Sequence, residues 1–317
     1  FETTHTGLSC STGFALYPRS ATVADALYEC ADYALYHAKR RARGQAIIFS
    51  TELEAEIRSR SVIENLLRTA DFEAEMYLVF QPIMDATNAR TTGFEVLARW
   101  RSPKLGTVSP SSFIPAAERI GLIRSLTRVL LVKALATARP WTDDIGGSLT
   151  LSANDISSPE GILPLIPVIP ASGVPPRRIE FEITETAVTF DFARAEQSIA
   201  ALKAIGCGIS LDDFGTGYSS LSHVHRLPLD KLKVDRSFIE ANADDAKAAL
   251  ILESIILLAH DLGLAVVAEG IQSQDDVDRL GALACDLGQG YFIGEPMTAK
   301  QVVDVLSGVP LTAAQHK

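Results

Sequence analysis

The chain contains no run of the ~18–20 apolar residues that a membrane-spanning helix needs. The nearest, Leu250 to Ala268, is broken by Glu253, His260 and Asp261. Cysteine is scarce: Cys10, Cys30, Cys207 and Cys285 are all there is, and no two are spaced as CxxC. Cys207 lies on an apolar segment and reads as a buried free thiol, which suits a reducing cytosol. Positive charge is in short supply as well. Only 29 Lys and Arg stand against 39 Asp and Glu, for a net charge of −10. Duplex affinity rests on neutralising phosphates with Lys and Arg, so no nucleic-acid partner is expected. A small anion remains open as a ligand if metal ions neutralise it locally. There is no low-complexity linker, no evident repeat and no signal-peptide pattern. The chain opens on Phe1 rather than Met, which reads as a fragment and leaves upstream sensor or membrane domains open. What is present is expected to be cytoplasmic.

What is present is ordinary for a globular protein. The 317 residues are 47% hydrophobic and 21% charged, enough for one barrel of about 250 residues and a smaller piece. Residues 8–17 predict a strand closed by Pro18. Residues 22–43 predict a helix, with Leu27, Cys30, Ala31, Ala34, Leu35 and Ala38 at helical spacing, and 46–49 predict a short strand. Alone, such a piece cannot bury much core. Residues 51–75 predict a charged connecting helix. From Tyr77 onward, strands are expected near 77–83, 91–99, 148–153, 178–183, 207–212, 231–235, 264–269 and 288–293. Helices are expected near 111–119, 123–138, 192–205, 246–262 and 274–283, and the Pro-rich stretch 164–176 reads as a rim loop. Strands separated by helices imply parallel βα units. The expected division is a βαβ piece over 1–50, a connecting helix over 51–75, a barrel over 76–308 and a tail over 309–317.

Five carboxylates carry the chemistry. Glu95, Glu182, Asp212 and Glu269 close the apolar runs GFEVLARW, RIEFEITE, CGISLDDFGTG and LAVVAEG, and Asp213 follows Asp212 directly. Several strands ending this way imply a closed barrel with its acids at one mouth, the face where parallel β/α barrels build active sites. Clustered carboxylates raise one another's pKa unless a cation sits among them. Hard divalent ions such as Mg²⁺ take such oxygen ligands, so a metal-dependent reaction on a phosphate ester is expected. Alternation along a strand puts Glu95, Leu97 and Arg99 on one face, likewise Ser210 with Asp212, Lys231 with Lys233 and Asp235, and Val267 with Glu269. Lys233 and Arg99 then supply cations suited to phosphate. The segment FGTGYSSL after Asp213 is a Gly-rich loop that permits tight turns.

Two resemblances follow from these motifs. The stretches STGFALYP and ADYALYHAKRRARG resemble the C-terminal part of a GGDEF domain, the diguanylate cyclase module. The part bearing that signature is not in the chain, so no cyclase activity is expected of it. Residues 77–300 resemble an EAL domain, the cyclic-di-GMP phosphodiesterase module. The match rests on Phe80-Gln81-Pro82-Ile83, Glu95-Val96-Leu97-Ala98-Arg99-Trp100, FIPAAERIGLI, Glu182-Ile183-Thr184-Glu185, DDFGTGYSSL, Lys233-Val234-Asp235, Ala268-Glu269-Gly270 and Gln289-Gly290-Tyr291, in family order. The resemblance implies a modified TIM-type (β/α)8 barrel of the α/β class that hydrolyses cyclic di-GMP to linear pGpG with two Mg²⁺ or Mn²⁺ ions. By motif position Glu95, Glu182 and Asp212 would hold one ion, and Asp212, Asp213 and Glu269 the other. Glu269 would be general base, and Lys233 would contact the attacking water or the phosphate. Gln81, Leu97, Arg99, Asp235, Gln289 and Pro296 would contact the substrate or orient the site.

The chain departs from the family pattern at three places. Val96 replaces the Ala of the signature, on the face away from Glu95. Thr150 stands where the family has an Asn metal ligand, 32 residues before Glu182. A hydroxyl is shorter and weaker, which points to a substitute water or a weakened first ion; Asn154 lies four residues late. Gln272 replaces the Glu that tethers the Gly-rich loop. Neither Thr150 nor Gln272 removes an acid, so an active enzyme is expected, with reduced turnover compatible with Thr150. The alternative is a receptor that binds cyclic di-GMP without cutting it. Plainer readings hold elsewhere. Glu180 is a structural carboxylate paired with a base. His223 and His225 lack a third ligand and read as surface residues. Asp143-Asp144, Asp244-Asp245 and Asp275-Asp276 read as solvated caps. A homodimer is expected through residues 213–226 and the helix at 246–262.

Overall fold

The computed structural model describes residues 10–41, 44–215, 225–240 and 246–307. The chain divides into two compact units, Phe1–Thr69 and Ala70–Lys317.

In the first unit, β1 (Thr12–Phe14) and β2 (Ala46–Ile48) pair in parallel, with Gly13 opposite Ile47. Parallel strands need a crossover, supplied by the helix Ala24–Arg41. The core is small, built on Ala34, Phe49 and Leu53, and Tyr17, Tyr28 and Ile48 stay exposed. The second helix, Thr51–Leu67, starts at Ser50, whose Oγ accepts from the Leu53 N–H at 3.2 Å. It ends at Leu67, short of the expected 75. Asp71 starts a new turn, Phe72–Glu75, in the second unit by accepting from the Glu73 and Ala74 N–H groups. A side chain that caps a new N-terminus ends the continuous helix.

The second unit is a closed barrel. Its strands are β3 (Met76–Asp85), β4 (Thr91–Ser102), β6 (Gly146–Leu151), β7 (Ile179–Thr184), β8 (Gly208–Phe214), β9 (Lys231–Val234), β10 (Ala265–Ala268) and β11 (Leu287–Gly288). The short β5 (Gly106–Val108) adds to the outside of β4. Around the barrel the order is β3-β11-β10-β9-β8-β7-β6-β4, and β3 pairs with β4 to close it. Strands β4 and β6 to β11 run parallel, whereas β3 is antiparallel to both neighbours. The cause is local. Asp85 Oδ1 accepts from the Thr87 and Asn88 N–H groups and folds a hairpin between β3 and β4, and a hairpin can join only antiparallel strands.

Helices Pro110–Arg119, Ile123–Ala138, Phe192–Ala204, Ala246–Asp261 and Gln274–Ala282 fall where the apolar period puts them. Two expectations change. The Pro-rich stretch contains a helix, Val168–Ser172, and runs into a 3₁₀ turn, Pro176–Arg178. Prolines at the start of a helical turn lose no internal hydrogen bond. The last strand is only Leu287–Gly288, because the Ile293 and Gly294 N–H groups bond back to Gly290 O and form a turn instead. One buried core runs around the barrel, with Trp141 packed against Phe80 and Phe94. Among the described residues, no helix is long and apolar enough to cross a membrane.

Candidate active site

Register assembles the site. Thr150 stands opposite Glu182, Glu182 opposite Ser210, Val267 opposite Lys233, and Gln81 opposite Glu95. Same-face residues of neighbouring strands therefore converge on the barrel axis. There, Lys233 is 1% exposed and its Nζ is the hub. It lies 2.7 Å from Glu269 Oε1, 2.9 Å from Glu182 Oε2, 3.3 Å from Asp212 Oδ1 and 4.0 Å from Glu95 Oε2. One layer below, Lys231 pairs with Glu180 at 2.6 Å, the structural ion pair expected of Glu180.

Glu95 is not at the end of its strand but in the middle of β4. Only Gly93 to Glu95 pair with β6; beyond Trp100 the strand pairs with β5 outside the barrel. Glu95 thus ends the barrel-wall part of β4. Asp213 joins by a different route. Strict alternation would turn it away from Asp212. Its φ of 56° and the register shift between Leu211 and Phe214 bring it round, so that oxygens of Asp212, Asp213 and Glu269 lie within 4.8 Å of one another. Asp tolerates this left-handed conformation better than most residues.

The electrostatics follow from crowding in a dry place. Burial, then the Glu182 carboxylate, pushes Glu95 up to about 7. Burial pushes Asp212 up to about 6, with Lys233 opposing and Glu182 adding. Burial pushes Glu269 up to about 8 against the pull of Lys233. Asp213 is raised by burial and by Asp235. For Lys233 burial works against the charge, but Glu182, Glu95, Glu269 and Asp212 outweigh it and hold the ammonium well above its ordinary range. Four carboxylates around one ammonium, with Asp213 beside them, leave a surplus of negative charge that divalent cations would neutralise. The donor set fits them. The Asp212, Asp213 and Glu269 oxygens already converge, and buried Glu182 Oε1 has no hydrogen-bond partner among the described residues.

The other expected residues divide into two groups. Gln289 is buried, and its Nε2 donates to Glu95 Oε2 and, at 3.2 Å, to Gln81 Oε1; Gln81 donates in turn to Gly294 O at 3.3 Å. Thr150 Oγ1 donates to Glu182 Oε2 at 3.2 Å. Asp235 Oδ1 accepts from the Ser237 N–H at 3.0 Å, and Pro296 precedes Met297, whose backbone pairs with Phe80. Leu97 and Arg99 line a second cleft, which they share with Thr150 and Thr184. Arg99 Nη1 donates to Ala98 O at 2.9 Å.

Asn154 is turned away in the helix Ala153–Ile156, its Nδ2 on Glu118 O at 3.4 Å. His225 is exposed, while His223, Asp244-Asp245 and the Gly-rich loop from Thr216 to Leu221 lie outside the described residues. Asp143 and Asp144 are exposed loop acids, as expected, and pair at the surface with Arg177 and Arg90 rather than capping a helix. Asp276 is a cap, in a box with Ser273. Arg236, which the sequence did not single out, and Tyr291, which entered only as part of the motif Gln289-Gly290-Tyr291 with no role given, line the pocket over Glu95, Asp212 and Glu269. Exposed beside a mouth of acids, they carry no periodic signal.

Fold and site together define a β/α barrel with a carboxylate-rich, cation-ready mouth. The sequence profile of the EAL domain matches residues 64–296, and the chain belongs to the EAL domain family. It is 34% identical over 300 residues to MucR of Pseudomonas aeruginosa, named a bifunctional diguanylate cyclase/cyclic di-GMP phosphodiesterase, covering 93% of this chain and 44% of MucR. It is 36% identical over 296 residues to an uncharacterised signalling protein of Caulobacter vibrioides, covering 93% of this chain and 37% of that one. The chain thus spans less than half the length of these curated relatives. The solved complex of the PaMucR phosphodiesterase with c-di-GMP superposes with a TM-score of 0.71 at 34% identity, over 76% of this chain and 99% of that one.

Proposed function

We propose that this chain is a metal-dependent phosphodiesterase that hydrolyses cyclic di-GMP to linear pGpG in second-messenger signalling. The observation that carries the reading is the convergence of Glu95, Glu182, Asp212 and Glu269 on Lys233 Nζ within 4.0 Å. MucR and its c-di-GMP complex support the substrate. Glu95, Glu182, Asp212 and the Thr150 position would hold one Mg²⁺ or Mn²⁺, and Asp212, Asp213 and Glu269 a second. Bound there, such ions supply Lewis-acid activation of water and clamp a phosphate in line.

The chain's own residues do the rest. Glu269 is the general base by its place, a carboxylate 2.7 Å from Lys233 Nζ and beside the Asp212 and Asp213 oxygens where the attacking water would sit. Lys233 Nζ, already bonded to Glu269 and Glu182, holds positive charge where the phosphate's negative charge develops. Gln289, steadied by Gln81, orients Glu95. Leu97, Arg99, Asp235 and Pro296 contact the substrate, with Arg99 presenting a guanidinium fork to phosphate.

One observation favours a second reading, a receptor that binds without cutting. Thr150 spends its hydroxyl proton on Glu182, where an amide oxygen would offer itself to metal. The test is purified protein with cyclic di-GMP and Mg²⁺ or Mn²⁺, pGpG being followed by chromatography and binding by calorimetry in Ca²⁺. Metal-dependent pGpG supports the enzyme; tight binding without product makes the chain a receptor.

The proposal extends to the rest of the chain. Residues 1–50 are the C-terminal part of a GGDEF domain, 51–75 a connecting segment, 76–308 the catalytic barrel and 309–317 a tail, in a cytoplasmic location. The helix Ala246–Asp261 leaves Leu250 62% and Leu257 58% exposed, which supports a homodimer through this face. The remainder of the expected dimer segment, 216–224, lies outside the described residues.

A further inference from the structure

The pocket over the acids carries one cation in its described lining. Glu95, Asp212 and Glu269 line it with Arg236, Gln272 and Tyr291. Arg236 is exposed, and among the described residues no carboxylate pairs with it. Yet its position is built. Gly270, directly after Glu269, has φ +78°, and a Cβ there would lie 2.3 Å from Arg236 Cβ. The Arg236 stem is therefore seated flush on the residue after Glu269, and only glycine leaves the room.

The backbone at Tyr291 is fixed as well. It sits on the turn in which the Phe292 N–H bonds to Ile271 O and the Gly294 N–H bonds to Gly290 O. Its ring is nevertheless 70% exposed at the rim. An aromatic ring carried on a fixed turn and a guanidinium that no described carboxylate pairs, on one pocket, form a pair suited to a nucleobase. Every base has a π-face to stack. A guanidinium fork matches the O6 and N7 acceptors of guanine but meets a donor at the adenine N6 amino group.

The geometry points to Arg236 as the residue that selects a guanine base of the substrate, with Tyr291 as its stacking platform. This rests on the cyclic di-GMP reading above. The experiment measures dissociation constants in Ca²⁺ for cyclic di-GMP directly and for cyclic di-AMP by competition. It uses wild-type protein, Arg236→Ala, Arg236→Lys and Tyr291→Ala, with pGpG formation recorded in parallel. Arg236→Ala weakens cyclic di-GMP by about tenfold, as expected for a bidentate base contact, with less than half that change for cyclic di-AMP. Arg236→Lys shows the same loss, because an ammonium keeps the charge but not the fork. Tyr291→Ala weakens both nucleotides.

The inference is overturned if Arg236→Ala leaves cyclic di-GMP affinity unchanged, or weakens both nucleotides alike. It is also overturned if Arg236→Lys restores binding, which would make the contact one to phosphate. Wild-type protein that binds but yields no pGpG removes the catalytic reading and leaves this test intact. Wild-type protein that binds neither nucleotide overturns both.

Discussion

At Thr150 a single hydroxyl stands where a longer amide is the family norm, and the structure gives it an occupation, a 3.2 Å bond to Glu182. Thr150→Asn replaces that donor with a carbonyl oxygen that reaches further into the site. We expect turnover at limiting Mn²⁺ to rise about tenfold, the lower range for a change beside a metal ligand, checked by pGpG formation against metal concentration. The raised acids make a second prediction. Glu95, Asp212 and Glu269 sit at about 7, 6 and 8 in the metal-free fold. Between the ordinary carboxylate range and those values the folded state binds more protons than the unfolded one, so stability falls as pH rises. Lys233 stays protonated throughout this window and adds no slope. Metal-free protein should lose ~5 °C in Tm between pH 5 and pH 8. Divalent ions should reverse the loss, with proton release measurable by calorimetry in buffers of different ionisation enthalpy.

Among the elements, the helices were legible in the sequence because a 3.6-residue apolar period survives noise, and Pro110–Arg119 and Ile123–Ala138 fall within a residue of it. The convergence of Lys233 with the acids was legible too, since strand parity alone puts Lys233 and Asp212 on inward faces. Two parts of the site were not. Asp213 reaches Asp212 and Glu269 only through a left-handed residue and a register shift, which no alternation pattern encodes. The place of Glu95 depends on where β4 leaves β6 for β5, a matter of pairing rather than of composition. The junction behind the site offers a test at this scale. Fully buried Asp155 accepts from the Ser152 N–H and Oγ and from Thr127 Oγ1, tying the helix Ala153–Ile156 to the helix Ile123–Ala138. Asp155→Ala removes a cap and leaves buried donors unpaired, and should cost about 2–4 kcal/mol in denaturant unfolding.

For the whole molecule, the proposed homodimer and the proposed chemistry use different faces. Leu250 and Leu257 lie on the outer face of Ala246–Asp261, away from the acids. Leu250→Glu should convert a dimer to a monomer in light scattering while leaving the barrel folded. The central claim, that the four acids around Lys233 form, with Asp213, a divalent-metal centre for phosphodiester hydrolysis, is tested most directly by titrating Mn²⁺ into metal-free protein with cyclic di-GMP present and following pGpG. The account predicts no product before metal is added, a rate that rises with Mn²⁺, and a loss of at least a hundredfold in Asp213→Asn and Glu269→Gln. Product formed at full rate in the presence of EDTA, or undiminished in Glu269→Gln, would contradict it.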